Sequence, residues 1–354
     1  MLITAVFFNY KKHTLKCDSM EPYIEINTKA VVENYKKLRE ITNKNIIAVI
    51  KDNAYGHSLI QIGKTLSNNN VFMLAVSSLT EAITLRKSMI FSPLLLLGRC
   101  DDARTIYSLK ITQGVSSLDQ LKKISQSNFP IAIHLEIETG MHRLGLDESE
   151  IEEALYIINN SNLKLKGIYT HFCSTNYTNQ EEKFESIYKK YFKDSKLVVH
   201  TQASNYINNN IYFCNALRIG LALYGYSPYL KLTPCLKLVV PIIRVQKIKK
   251  DELVGYDFID KASEDGYIIT IPFGYSHGLS RLSKLCVSHH NNTFYQIGKP
   301  CMDITMFFSL EKLSSGTEVE IISPQNINTL IAINKENMYY ILSSLSPNIK
   351  RIFK

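Results

Sequence analysis

Residues 45–59 read NIIAVIKDNAYGHSL. The apolar run Ile46–Ile50 ends in Lys51, and Tyr55 and the pair Gly56-His57 follow closely. A short β-branched run bounded by polar and turn residues reads as a buried strand. A lysine at the end of such a strand gives up hydration unless it is paired or used, so Lys51 asks for a role. The same texture recurs along the chain. Strand candidates lie at 46–51, 72–77, 93–98, 112–115, 131–137, 166–171, 197–201 and 215–219, and stretches of helical period such as KAVVENYKKLREI and SLDQLKKISQS lie between them. Eight such units within roughly 200 residues predict an α/β fold, a closed (β/α)₈ barrel of the TIM type whose working face is the C-terminal ends of its strands. Lys51 stands at one of those ends.

After Tyr229 the pattern changes to LKLVVPIIRVQKI, YIITIPFGY, ITMFFSL and TEVEIIS, separated by turn residues. These predict a mostly-β C-terminal domain over 236–354, following a barrel over 21–235; residues 1–20 read as a disordered extension. A chain of 354 residues with 45% hydrophobic content fills two cores of this size. The net charge of +9 comes from lysines scattered through helix-like stretches such as YKKYFKDSK, which reads as solvated surface and not as a nucleic-acid interface. Seven cysteines without a CxxC pair fit a reducing cytoplasm, and nothing in their spacing suggests a metal site. No apolar run is long enough to span a bilayer, so no membrane association is expected.

An amine in apolar surroundings has its pKa pushed down and becomes nucleophilic enough for Schiff-base chemistry. Tyr55 can present a phenol to an anion, and Gly56 allows a tight turn. The other strand ends add Arg143 from EIETGMHRLGL, His171 from YTHFCS, Ser204 from HTQASN, and Arg218 with Gly220 from LRIGLALYG. Each alone is as well explained by ordinary hydrogen bonding. Together they put an amine, two guanidiniums, a flat ring and a small anion nest on one face of one barrel.

From residue 21 onward the chain resembles the alanine racemase family of fold-type III pyridoxal phosphate (PLP) enzymes. The resemblance rests on AVIKDNAYGH, TGMHRLG, THFCS, LRIGLALYG, VGYDF, IPFGYSHGLSR and CMDITM, in the family's order. It implies that Lys51 holds PLP covalently and that Tyr55, Ser204 and the backbone at Gly220 and Leu221 take its phosphate. His171 would pack against the cofactor ring. Arg218 would face the pyridine nitrogen, and a permanent cation there keeps that nitrogen unprotonated and the ring a poor electron sink. Racemisation needs bases on both faces of the substrate carbon, which the resemblance assigns to Lys51 and Tyr256. Arg143 and the backbone at Met302 would receive the substrate carboxylate, with Asp303 in support. In the family the tyrosine and methionine segments come from a partner subunit, which implies a homodimer with shared sites.

Three departures stand out. Glu136 occupies the place where the family often has a carbamylated lysine, and is expected to accept from Arg143. GYSHG puts His277 where the family has a carboxylate. LSSLSPNIKRIF lacks the tyrosine that some members place near the cofactor phosphate. The resemblance implies racemisation of alanine, feeding cell-wall synthesis, with serine as the next substrate. TGMHRLG and HTQASNY lean towards serine-racemase-like relatives. A decarboxylase on the same barrel lacks support because its glycine-rich phosphate loop is missing. A non-catalytic PLP-binding paralogue is the reading from another class.

Overall fold

The computed structural model describes residues 20–173, 178–202, 211–279, 284–335 and 337–354. The expected disordered extension therefore lies outside the described residues except for Met20. A first strand, β1 (Tyr23–Ile26), precedes eight strands that close into a parallel barrel in chain order: β2 (Asn45–Val49), β3 (Met73–Val76), β4 (Leu94–Leu96), β5 (Thr112–Val115), β6 (Ala132–Glu136), β7 (Lys164–Tyr169), β8 (Val198–Gln202) and β9 (Ala216–Ile219). β9 closes on β2 with Ile47 beside Arg218 and Ala48 beside Ile219. Side-chain caps start the intervening helices. Asn27 accepts from the Ala30 N–H, Asp102 from that of Thr105, and Ser117 from that of Gln120. Ser78 and Glu81 form a reciprocal capping box.

β3 and β4 are buried throughout, as expected for strands covered by helices outside and side chains inside. β1 behaves differently: only Ile24 and Ile26 are buried, the alternation of a sheet covered on one face. The expected barrel began at residue 21, but β1 pairs antiparallel with β10 (Leu236–Pro241) in the C-terminal part of the chain.

Beyond β10 follow β11 (Arg244–Ile248), β12 (Leu253–Val254), β13 (Asp260–Lys261), β14 (Gly266–Ile271), β15 (Cys286–His289), β16 (Asn292–Tyr295), β17 (Thr305–Ser309), β18 (Glu318–Ile322) and β19 (Lys350–Phe353). They form a six-stranded sheet in the order β16-β15-β18-β10-β1-β19, a three-stranded sheet β11-β14-β17, and the pair β12-β13. Two helices, Ile327–Asn334 and Met338–Ser343, complete this part, and the second packs against the segment Lys51–Tyr55 at the barrel mouth. Among the described residues no helix is long and apolar enough to cross a membrane.

Candidate active site

β2 ends at Val49, and the next segment turns the wrong way for L residues. Asp52, Asn53, Ala54 and Tyr55 have φ of 52°, 54°, 55° and 52°, four successive left-handed residues. Each costs about 1–2 kcal/mol relative to a right-handed conformation. Local hydrogen bonds hold the turn: Ser58 N–H donates to the Asn53 carbonyl at 3.0 Å, and Leu59 N–H to the Asn53 side chain at 2.9 Å. Gly56 ends it at φ 80°, where a Cβ would lie 2.4 Å from the Leu342 carbonyl oxygen. Only glycine lets the Met338–Ser343 helix come this close. The Lys51 amine is not stripped of water as its apolar strand suggested. Its side chain is 39% exposed and lies 3.5 Å from the Asp52 carboxylate.

Lys51 opens onto a cavity of about 770 Å³ at the C-terminal ends of the barrel strands, whose wall also includes Tyr55, Glu136, Arg143, His171, Arg218 and Gly220. At one end the Tyr55 ring meets the Tyr224 ring at 5.3 Å and the Tyr339 ring at 5.9 Å. Burial pushes the Tyr55 phenol well up, with Tyr339 and Asp52 adding to the effect. It is therefore a neutral hydroxyl at any ordinary pH. A Cβ on Gly220 would sit 2.4 Å from the Tyr55 hydroxyl, so glycine here is what lets the phenol reach the wall. Leu221, itself buried, begins the short turn Leu221–Tyr224 behind Gly220. Tyr339 occupies the cavity wall although LSSLSPNIKRIF lacks a tyrosine, because the Met338–Ser343 helix delivers one from an earlier turn.

Arg218 is buried, and its guanidinium lies 4.7 Å from the centre of the Tyr169 ring. It donates to the Thr170 carbonyl at 2.7 Å and meets His200 Nδ1 at 2.8 Å. Because arginine only donates, His200 Nδ1 accepts, its proton sits on Nε2, and Nε2–H donates to His134 Nδ1 at 2.8 Å. Burial, reinforced by Arg218, holds both histidines neutral, with His134 down at about 3. His171 is likewise lowered to about 3, by burial first and then by the charges of Arg218, Arg143 and Lys51. The cavity wall thus combines the cations Lys51, Arg143 and Arg218 with one neutral imidazole, His171, and the His134–His200 pair lies buried behind Arg218.

Glu136 is buried, and burial pushes its carboxyl up against the opposing pull of Arg218 and Arg143. Its hydrogen-bond donor is the Tyr169 hydroxyl at 3.3 Å. The expected pair with Arg143 is absent: among the described residues no ion pair within 4 Å joins them. The reason lies in the loop between them. Burial pushes the Glu138 carboxyl up, but hydrogen bonds from the backbone N–H groups of Gly140, His142 and Met141 outweigh it and leave the group below its usual value. The loop folds around Glu138 and carries Arg143 to the exposed rim, where its guanidinium has no hydrogen-bond or ion-pair partner among the described residues.

Ser204 lies outside the described residues. Tyr256 and Met302 are absent from the cavity wall of their own chain and are 61% and 55% exposed on the C-terminal domain. Asp303 accepts from the Ser276 hydroxyl at 2.6 Å beside Met302. His277 serves its own turn, its Nδ1 accepting from the Gly274 N–H at 3.1 Å with its ring stacked on Phe273. Sequence reasoning missed His134, Tyr169, His200 and Tyr339. A lone histidine in each of the apolar runs IAIHLEI and LVVHTQ was the available signal for two of them.

Two family models match the chain, the alanine racemase N-terminal domain over residues 26–228 and the alanine racemase C-terminal domain over 235–353. The alanine racemase of Staphylococcus saprophyticus is 30% identical, with 94% of both chains covered. That of Fusobacterium nucleatum is 31% identical, covering 94% of this chain and 99% of the relative. The fold is shared with an alanine racemase from Bartonella henselae with covalently bound pyridoxal phosphate, with TM-score 0.86, 22% identity, and 94% and 99% of the two chains covered. It is shared too with a histidine racemase from Leuconostoc mesenteroides, with TM-score 0.84, 24% identity, and 94% and 98% covered. An eight-stranded barrel with a lysine, two arginines and a buried phenol at its mouth, joined to this β domain, thus belongs to the alanine racemase family, and the chain is an amino-acid racemase.

Proposed function

We propose that the chain interconverts the L and D forms of a small amino acid, alanine first and serine next, with PLP as cofactor and with each site completed by a second copy of the chain. The observation that carries this reading is the convergence of Lys51, Tyr55, Arg143, His171 and Arg218 on one cavity. The residues suit PLP chemically. An amine is available for a covalent bond, a neutral phenol beside a glycine for a phosphate, and a buried guanidinium for a ring nitrogen.

When bound, PLP draws electrons from the substrate Cα and makes its proton removable. Lys51 would anchor the cofactor, and its amine would hold or return the α-proton on one face of the substrate carbon. Tyr55, Ser204 and the backbone at Gly220 and Leu221 would take the phosphate, and Tyr339 stands beside Tyr55. His171, on the cavity wall, would flank the ring. Arg218, fixed by Thr170 and His200, would face the ring nitrogen and, as a donor-only cation, would keep that nitrogen free of a proton. Arg143 and the Met302 N–H bind the substrate carboxylate, and Asp303 braces that segment. The Tyr256 hydroxyl moves the proton on the opposite face. Its phenol acts as a base only beside a cation, which Arg143 supplies.

Tyr256 and Met302 belong to a second copy in this reading. The exposure of Leu253, Phe258 and Ile259 around Tyr256, at 55%, 65% and 54%, supports it, because such an apolar group is expected to be covered. The test is α-proton exchange in D₂O with L-alanine, L-serine and L-histidine. Deuterium at Cα with formation of the D isomer, fastest for alanine, is the expected result. Release of CO₂, or PLP binding without exchange of any substrate, would overturn the reading in favour of a decarboxylase or a cofactor carrier.

A further inference from the structure

His57 is fully buried beneath the left-handed turn and has no place in the chemistry proposed above. Its Nδ1 lies 3.0 Å from the Ala54 carbonyl and 2.9 Å from the Tyr55 carbonyl. Both oxygens can only accept, so Nδ1 carries the proton and donates to both. Nε2 is buried with no hydrogen-bond partner among the described residues. Burial lowers the ring's pKa to about 4, so this tautomer persists as a neutral group. The ring stacks on Tyr224 at 4.3 Å, and Tyr224 in turn packs on Tyr55 at 5.3 Å.

These contacts fall on the backbone that most needs support. Ala54 and Tyr55 are the last two of four consecutive non-glycine residues with positive φ, a conformation that L residues leave when nothing holds them. One carbonyl further on, Arg351 Nε donates to Gly56 at 2.9 Å. The turn is thus gripped from beneath by an imidazole and from the side by the C-terminal strand.

We infer that His57 is a positioning residue whose Nδ1–H ties down the Ala54 and Tyr55 carbonyls and so fixes the turn that sets Lys51 and Tyr55 on one cavity wall. The inference rests on the proposed role of Lys51 and Tyr55 in holding PLP. It is specific about one atom, because the ring's other nitrogen makes no hydrogen bond among the described residues.

Three variants separate this role from core filling. In His57→Asn the side-chain amide nitrogen stands where Nδ1 stood, in His57→Gln it moves one bond further out, and in His57→Leu the donor is gone while the volume stays apolar. The readouts are the Kd for PLP, hydrogen exchange of the amides at 52–58 in the cofactor-free protein, and kcat. The expected result is a PLP Kd within about threefold of wild type for His57→Asn, and at least about tenfold weaker for His57→Gln and His57→Leu, since tenfold corresponds to the loss of one ordinary hydrogen bond. Amide exchange at 52–58 should rise in the same two variants.

If His57 only filled space, the apolar His57→Leu would equal or surpass His57→Asn, and that order overturns the inference. Should His57→Leu fail to fold, equal PLP affinity and amide protection in His57→Asn and His57→Gln overturn it. Wild-type protein that binds no PLP would defeat the proposed function instead. In that case the amide exchange pattern still decides whether His57 holds the turn.

Discussion

The Tyr169 hydroxyl donates to Glu136 at 3.3 Å inside the barrel mouth, where the charges of the buried Arg218 and the rim Arg143 both act on the carboxylate. Glu136 therefore acts on both arginines through its field and through the tyrosine. Replacing it with Gln keeps shape and hydrogen bonding but removes the anion that offsets two cations. Making that hydrogen bond neutral forfeits its charge-assisted part, roughly 1–1.5 kcal/mol, so Glu136→Gln should lower kcat/KM by about tenfold with PLP binding nearly intact. Wild-type activity should not change with added bicarbonate, since the carboxylate is already part of the side chain. A Glu136→Gln enzyme as fast as wild type, or activity rising with bicarbonate, would count against this role.

The second prediction concerns Lys51. Lys51→Ala should lose racemisation and the visible absorption of the lysine-bound cofactor, while PLP still binds weakly through the phosphate end at Tyr55 and Gly220. Retention of that absorption by the variant would remove Lys51 from the cofactor site.

What the sequence made legible follows from where each residue's environment is set. Lys51, His171 and Arg218 end or adjoin short apolar strands, and such a residue on a parallel barrel faces the site whatever the details. Arg143 was legible as a rim residue, but its partner was not, because the loop from 138 to 145 is shaped by backbone amides folding onto Glu138. Tyr339 was hidden because a phenol can reach the same point from different turns of a helix, and only packing on Gly56 decides which turn is used. The place of β1 depends on pairing with residues more than 200 positions away, which no local pattern records. His134 and His200 looked like any satisfied core histidines until Arg218 was seen to fix their tautomers.

Those histidines give a third prediction. Burial holds His57 at about 4, His134 and His171 at about 3, and His200 well below its ordinary value. An unfolded histidine titrates near 6.5, so below that pH the unfolded chain takes up protons that the folded chain refuses. Stability is then lost as pH falls from about 6.5 towards 4, by up to roughly 1.4 kcal/mol per pH unit for each such histidine. Glu136 and Glu181, whose carboxyls are raised by burial, act in the opposite sense above pH of about 4.3, but they are two groups against four. Thermal midpoints measured at pH 7 and pH 5 should fall by several degrees on acidification. A flat profile over that interval would contradict the assignment of four neutral imidazoles, three buried and one half-buried.

The last prediction concerns Tyr256, which is 61% exposed and absent from the cavity of its own chain. If a second copy brings it to the site, Tyr256→Phe removes one of two bases and leaves Lys51 in place. Exchange of the α-proton should then suffer more from the L isomer than from the D isomer, because each base serves one face. Sharing also has a consequence that no single variant can show. Lys51→Ala and Tyr256→Phe are each nearly inactive alone, but a mixed dimer holds one site with Lys51 from one copy and Tyr256 from the other. Random mixing makes half the dimers mixed, each with one intact site of two, so activity should recover to about a quarter of wild type in a two-fold assembly. Unfolding and refolding the two variants together, then assaying against each refolded alone, measures this directly. No recovery, with dimers present and exchanged, would mean that Tyr256 does not complete the neighbour's site.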